Sequence, residues 1–443
     1  MTDHFLKALI SIDSIPERVF TQARNCFVDF LACTLAGAKM FTEKDLAYVN
    51  ALEFGIKGAS VIGLRERGSL QTAALINGMN SHVMELDDGH RKGGVHVGGA
   101  IFSALLPIAE KEKISMRDFL YGAIIGYEVT IRLACAIQPG NKLRGFHATG
   151  TCGTVGATMA IAASLHFDFD QMKSAFSAAV TSAAGVLEMQ EDNADMKPLN
   201  VGRAAMDAVS AAYLGKARFQ APKDALGGRR GFLKVMTDDA KISFLTDFEK
   251  GSFCIMSIYN KPYASCRHTH PAIEASMRIR EQEGFRIDEL ESIIVRTYEL
   301  AVGGHNHKQV NGISSAKMST PYSVAVALVT GNAGLNEFSE SNVADTRILD
   351  IAQKVDVVAD DEFTALCPQC RAASVEAKTK SGTYFARIDY PKGEPENPLT
   401  QEEFQQKIRG LMSFAGYSND DYEKLMDVIY RPEFSIDEVI NLL

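Results

Sequence analysis

From residue 100 to residue 187 the chain reads as one helix after another, each apolar on most of its faces. A helix without a polar face has nothing to offer water, so it must lie inside a bundle. Ser115–Asp118 reads as a capping segment for a helix over 119–137, and helices over 157–165 and 171–187 follow. The segment 100–113 reads as a helix interrupted at Pro107. Upstream, Val19, Ala23, Phe27, Phe30, Leu31 and Leu35 recur at helical spacing and predict a helix over 15–40. Further helices are predicted over 44–55, 70–84 and 198–219, the last with Pro198 suited to its first turn. Residues 60–64 are short and β-like.

The pattern changes after about Phe248. Residues 293–297 have a strand pattern, and Ser381-Gly382 marks a hairpin between 374–380 and 383–390. Helices are predicted over 270–283 and 318–329, and Glu394–Pro398 is a breaker segment. Helical pattern returns over 401–412 and 422–429. The expected fold is mainly α: a large all-helical bundle domain over 1–254, completed by 399–443, with a smaller α/β (α+β) lid domain inserted at 255–398. A chain of 443 residues has room for both.

Bulk charge narrows the partners. A net charge of −9 disfavours nucleic acid, which needs a basic field. No apolar run reaches the roughly 18 residues that span a bilayer, so no membrane partner is expected. The first 20 residues lack a basic segment followed by an apolar core, and most of the eight cysteines sit in apolar helical surroundings. A cytoplasmic protein with reduced core thiols is expected. Cys367-Pro-Gln-Cys370 is a lone CxxC without a second pair at zinc spacing, so it reads as a loop.

The chemistry concentrates between His82 and His96. These fifteen residues hold three carboxylates (Glu85, Asp87, Asp88), three histidines (with His90) and the cations Arg91 and Lys92. A polar loop with a Gly93-Gly94 pair, set between two apolar helices, can aim side chains into a cleft. Four other places stand out. His147 precedes a helix start rich in small residues, where unpaired N–H groups favour an anion, although close packing also explains the glycines. Lys197 stands before Pro198 and projects as the next helix begins, either into solvent or toward the core. Lys261–Pro271 holds Arg267, suited to clamp a carboxylate, and His268 and His270. On a strand those two histidines would share one side, so a metal is conceivable there. Tyr322 opens an apolar helix and either serves a proton or packs; His305 and His307 read as solvated loop residues.

Taken in order, ELDDGHR followed by His96, FHATGTCGTVGA, MKPLNVGRAA, KPYASCRHTHPAI, KMSTPYSVAVAL and DYPKGEPENPL resemble the MmgE/PrpD family over roughly 15–430. That family includes 2-methylcitrate dehydratase, cis-aconitate decarboxylase and iminodisuccinate epimerase. The resemblance implies a homodimer of helical and lid domains with the active site between them, and no metal or organic cofactor. It places catalytic roles on Glu85 or Asp87, His96, His147, Lys197 and Tyr322. Arg267, His268, His270, Asp88 and His90 would bind substrate. Gly89 and Val97 depart from the family's usual residues, which leaves the substrate open.

Such reactions build negative charge beside a carboxylate, so they call for a base near neutrality and cations. The expected role is a lyase dehydrating or decarboxylating a small di- or tricarboxylic acid. An epimerase using the same proton transfer and a non-catalytic carboxylate binder are the alternatives.

Overall fold

A computed structural model of the chain describes residues 1–443 apart from 13, 54–57, 65, 191–193, 195 and 250. The protein is mainly α. The helices Met116–Ile137 and Ala148–Ser164 pack side by side at the centre. Leu70–Val83, Gly98–Glu112 and Leu199–Lys216 close around them. Every residue of Ala148–Ser164 is buried. Its small side chains explain how: a Cβ on Gly156 would meet the Thr130 hydroxyl at 1.8 Å. Likewise a Cβ on Gly78 would lie 2.6 Å from the Gly202 Cα, so the helices carrying them cross almost backbone to backbone. The Met116–Ile137 helix is long and apolar enough to cross a bilayer, yet it carries Glu128 and Arg132 and is enclosed by the bundle.

Several sequence expectations need correction. The helices expected over 15–40 and 44–55 form one helix, Glu17–Glu53; residues 54–55 lie outside the described part. Gly37, inside this helix, lets it approach the backbone of Asn80. Pro107 does not interrupt Gly98–Glu112. The helix expected from 157 starts at Ala148, its threonines returning hydroxyls to carbonyls one turn back. The helix expected over 171–187 spans Phe169–Ser182, opened by an Asp168/Gln171 capping box.

The lid holds a four-stranded sheet ordered Val355–Ala359, Leu290–Thr297, Ala373–Thr379, Thr383–Ile388. The first pair is parallel and the others antiparallel, with the hairpin at Ser381-Gly382 as expected. Val355–Ala359 was not anticipated: it is a half-exposed edge strand without a clean apolar alternation. The helices His270–Arg280 and Thr320–Thr330 pack together, the first on the antiparallel pair and the second on the edge strand. The C-terminal helices Gln401–Phe414 and Asn419–Tyr430 return to pack on Glu17–Glu53.

Candidate active site

The Leu70–Val83 helix ends by presenting His82, which is fully buried. Three residues on, Glu85 takes a left-handed backbone conformation (φ 55°), uncommon for a side chain of this size. It turns the carboxylate back to two ammonium groups. Lys197 contacts Oε1, and Lys261 contacts Oε2 at 3.0 Å. Burial opposes the charge, but the two lysines hold the Glu85 carboxyl well below the usual carboxylate range.

Asp87 Oδ2 sits 2.8 Å from His82 Nδ1 and 3.1 Å from His96 Nδ1. Burial again opposes the charge, and the two imidazoles hold Asp87 well below its ordinary value. His96 Nδ1 also lies 2.9 Å from the Asp88 carbonyl. Burial pushes His96 down to about 4, with Asp87 offsetting part of the effect.

His147 stands at the start of Ala148–Ser164, as its sequence context implied. The amide of Asn200 donates to its Nδ1 at 3.2 Å. Burial, then the Lys197 ammonium, pushes His147 well below the ordinary imidazole value. The structure thus brings Glu85, Asp87, His96, His147 and Lys197 together. Of the residues around Lys197, Asn193 and Asp195 lie outside the described part.

Most of the other candidates have partners inside the protein, although Arg267 also borders the cavity of His96 and His147. Asp88 accepts from the Gly98 N–H at 2.9 Å, the Val97 N–H at 3.3 Å and the Tyr127 hydroxyl. It caps the Gly98–Glu112 helix, a role sequence spacing hides because the cap comes from ten residues away. His90 accepts the Gly93 N–H at 3.1 Å inside its own turn, and burial and Arg91 push it down to about 3. Arg267 does clamp a carboxylate, but it is the buried Glu394, at 2.9 Å. His270 accepts from Arg267 at 2.8 Å and so braces that pair. His268 faces the cleft instead, its Nδ1 2.5 Å from the Tyr298 hydroxyl. The two histidines diverge because a 3₁₀ turn, Arg267–Thr269, runs straight into the His270–Arg280 helix. Tyr322 packs on Phe338 in the lid core, its hydroxyl 3.4 Å from the Glu337 carbonyl.

His82, His96, His147 and Lys197 line a cleft made of two adjoining cavities of about 440 and 720 Å³, within the size range of small-molecule sites. Further groups from both parts of the chain border it. Arg371 is buried, yet among the described residues its guanidinium makes one hydrogen bond, to the Arg91 carbonyl at 2.9 Å, and no ion pair. Lys142 borders both cavities. Lys317 is buried, bonds the Val83 and Met84 carbonyls, and is pushed down to about 8 chiefly by burial. His305, expected in solvent, is buried beside Cys266. In a chain of net charge −9, this concentration of cations makes an anion-seeking cleft. Two trios hold donor atoms within 4.8 Å of one another, as a metal would need: His82, Asp87 and His96, and Cys266, His268 and His305. Cys367 and Cys370 are free thiols, Cys370 donating to the Asp389 carbonyl.

Comparison with known proteins agrees with this architecture. Residues 7–245 match the MmgE/PrpD N-terminal domain and residues 263–428 the MmgE/PrpD C-terminal domain. A cis-aconitate decarboxylase of Aspergillus terreus is 28% identical over 433 residues, covering 91% of this chain and 86% of the relative. The cis-aconitate decarboxylase of Homo sapiens is 24% identical over 464 residues, covering 98% and 92%. A mitochondrial 2-methylcitrate dehydratase of Yarrowia lipolytica is 24% identical over 196 residues, covering 41% and 37%. Decarboxylases and dehydratases of this kind are lyases, and these relatives, at modest identity, support a lyase.

Proposed function

Because this chain belongs to the MmgE/PrpD family, we propose that it is a lyase for a small di- or tricarboxylic acid, forming a carbanion beside a carboxylate in the cleft. One observation carries the reading: two imidazoles of opposite polarity line one cation-rich cavity. Among the described residues the partners of His96 Nδ1 are two acceptors, Asp87 Oδ2 and the Asp88 carbonyl, so it carries the hydrogen and leaves Nε2 bare. His147 Nδ1 receives a hydrogen from Asn200, so its Nε2 carries the N–H. His96 is therefore the group that moves the proton: in a dehydration it takes up the α-proton, and in a decarboxylation, where no proton is removed, the protonated ring delivers one to the carbanion; the Asp87 anion stabilises the imidazolium in either direction. His147 donates a hydrogen bond to the oxygen on which charge develops.

The cations hold the substrate. Lys197, Lys142 and Arg371 border the cavity and suit carboxylates, Arg371 in bidentate fashion. Lys261 holds Glu85, which in turn fixes Lys197. The full-length relatives favour decarboxylation of a cis-aconitate-like acid. Dehydration of a 2-methylcitrate-like acid is the second reading, favoured by the bare His96 nitrogen, which can remove an α-proton.

The test is proton and carbon NMR of cis-aconitate, 2-methylcitrate and iminodisuccinate incubated with the protein in deuterated water. Release of carbon dioxide or water supports a lyase. Return of intact acid with deuterium at the α-carbon would replace the lyase by an epimerase. Tight binding of all three with no turnover and no exchange would leave a carboxylate binder and overturn the proposal.

A further inference from the structure

We propose that Cys266, backed by His305, is a second proton-transfer group, acting from the lid wall of the cavity that His96 and His147 line from the helical side. The inference rests on the lyase reading and adds a catalytic residue to it. Cys266 lies at the turn into Arg267–Thr269, its N–H bonded to the Lys317 carbonyl at 2.9 Å. Its Sγ is 3.9 Å from His305 Nε2. His305 Nδ1 lies 2.8 Å from the Met318 carbonyl, which fixes a hydrogen on Nδ1 and turns Nε2 to the sulfur. His268 packs against the His305 ring, with centroids 5.1 Å apart. Cys266, His268 and His305 all border the same cavity as His96, His147 and Lys197. A thiol and a base in contact, with the base oriented by a third group, is the arrangement of an activated cysteine.

The electrostatics agree with the geometry. Burial opposes ionisation, but His305 and Lys197 bring the Cys266 thiol down to about 6, and His305 rises in return. Lys142, Lys261, Tyr298 and Glu85 are the other titratable groups coupled to the sulfur. Lysines and Arg371 also face this trio, so a dication is disfavoured there, whereas proton movement inside a thiolate–imidazolium pair changes no net charge.

The step balances without any added reagent. His305 passes its Nε2 proton to the sulfur. The S–H bond then breaks as a C–H bond forms at the carbanion, and the bonding pair stays on sulfur. His305 recovers a proton from solvent.

The test combines alkylation and turnover on the full chain. Iodoacetamide labelling of Cys266, read by mass spectrometry across pH, is expected to show a midpoint near 6, with protection by cis-aconitate. His305→Asn should move that midpoint toward the ordinary thiol value of about 8.5. Cys266→Ala should keep KM within about threefold while kcat falls at least tenfold. A wild-type protein that turns over substrate alongside an equally active Cys266→Ala overturns this inference alone. So does a labelling midpoint at the ordinary thiol value, or zinc retained by wild type and lost in Cys266→Ser. A wild type that turns over none of the acids overturns the lyase reading, and the catalytic role of Cys266 with it.

Discussion

Replacing Asp87 by Asn separates charge from shape at the centre of the site. The amide fills the volume of the carboxylate, and His96 keeps its second acceptor, the Asp88 carbonyl at 2.9 Å. The ring should therefore stay in place. What disappears is a buried anion 3.1 Å from the nitrogen that must become cationic. Two unit charges at that separation, with an effective dielectric constant near 20, interact by about 5 kcal/mol. Water and neighbouring lysines screen part of this, and each 1.36 kcal/mol is a factor of ten in rate. Asp87→Asn should thus lower kcat by about 10²–10⁴-fold, with little change in KM. The assay is steady-state turnover of the acid identified by NMR, with circular dichroism to verify folding. A folded variant whose kcat stays within threefold of wild type would refute the assignment of His96 as the proton acceptor.

Lys317 gives a pH signature. Its ammonium is held down to about 8, so it is charged below that pH and neutral above it. KM for a polycarboxylate should rise above pH 8, and Lys317→Arg should remove that limb; a pH profile of KM checks both. Stability should also fall in acid. His96 is held at about 4 against an unfolded value near 6.5, so the unfolded chain binds more protons between those pH values. That costs roughly 3 kcal/mol of folding stability for this one group as pH drops through the window. Asp88, held up to about 6, works in the opposite sense and offsets part of it. Urea midpoints at pH 7 and pH 5 measure the net effect, and an unchanged midpoint would contradict it. Gly202→Ala would set a Cβ 2.3 Å from the Leu75 carbonyl oxygen, spreading two core helices at a cost of about 1–3 kcal/mol, readable as a lower urea midpoint.

How much of this was legible in the sequence depended on distance along the chain. The His82–His96 loop, His147 and Lys197 each carry a local signal: polar density between apolar helices, a helix start, a residue before proline. Arg371 and His305 carry none. Arg371 owes its burial to a contact with the Arg91 carbonyl, 280 positions away, and His305 to Met318 and Cys266. Asp88 and Arg267 had the right chemistry for a site but found internal partners, Gly98 and Glu394. Tyr322 fell on the buried face of an apolar helix, where packing took precedence over any polar role. The bundle was legible because apolar periodicity is local, and the edge strand Val355–Ala359 was not, because its pattern is shared between water and core.

In this cleft His96 moves a proton while separate cations hold the acid. Measuring binding and turnover of cis-aconitate by wild type and His96→Asn tests it most directly. Affinities within about threefold and a turnover at least a hundredfold lower in the variant are expected. Equal turnover by the two proteins, or loss of binding in step with loss of turnover, would contradict it.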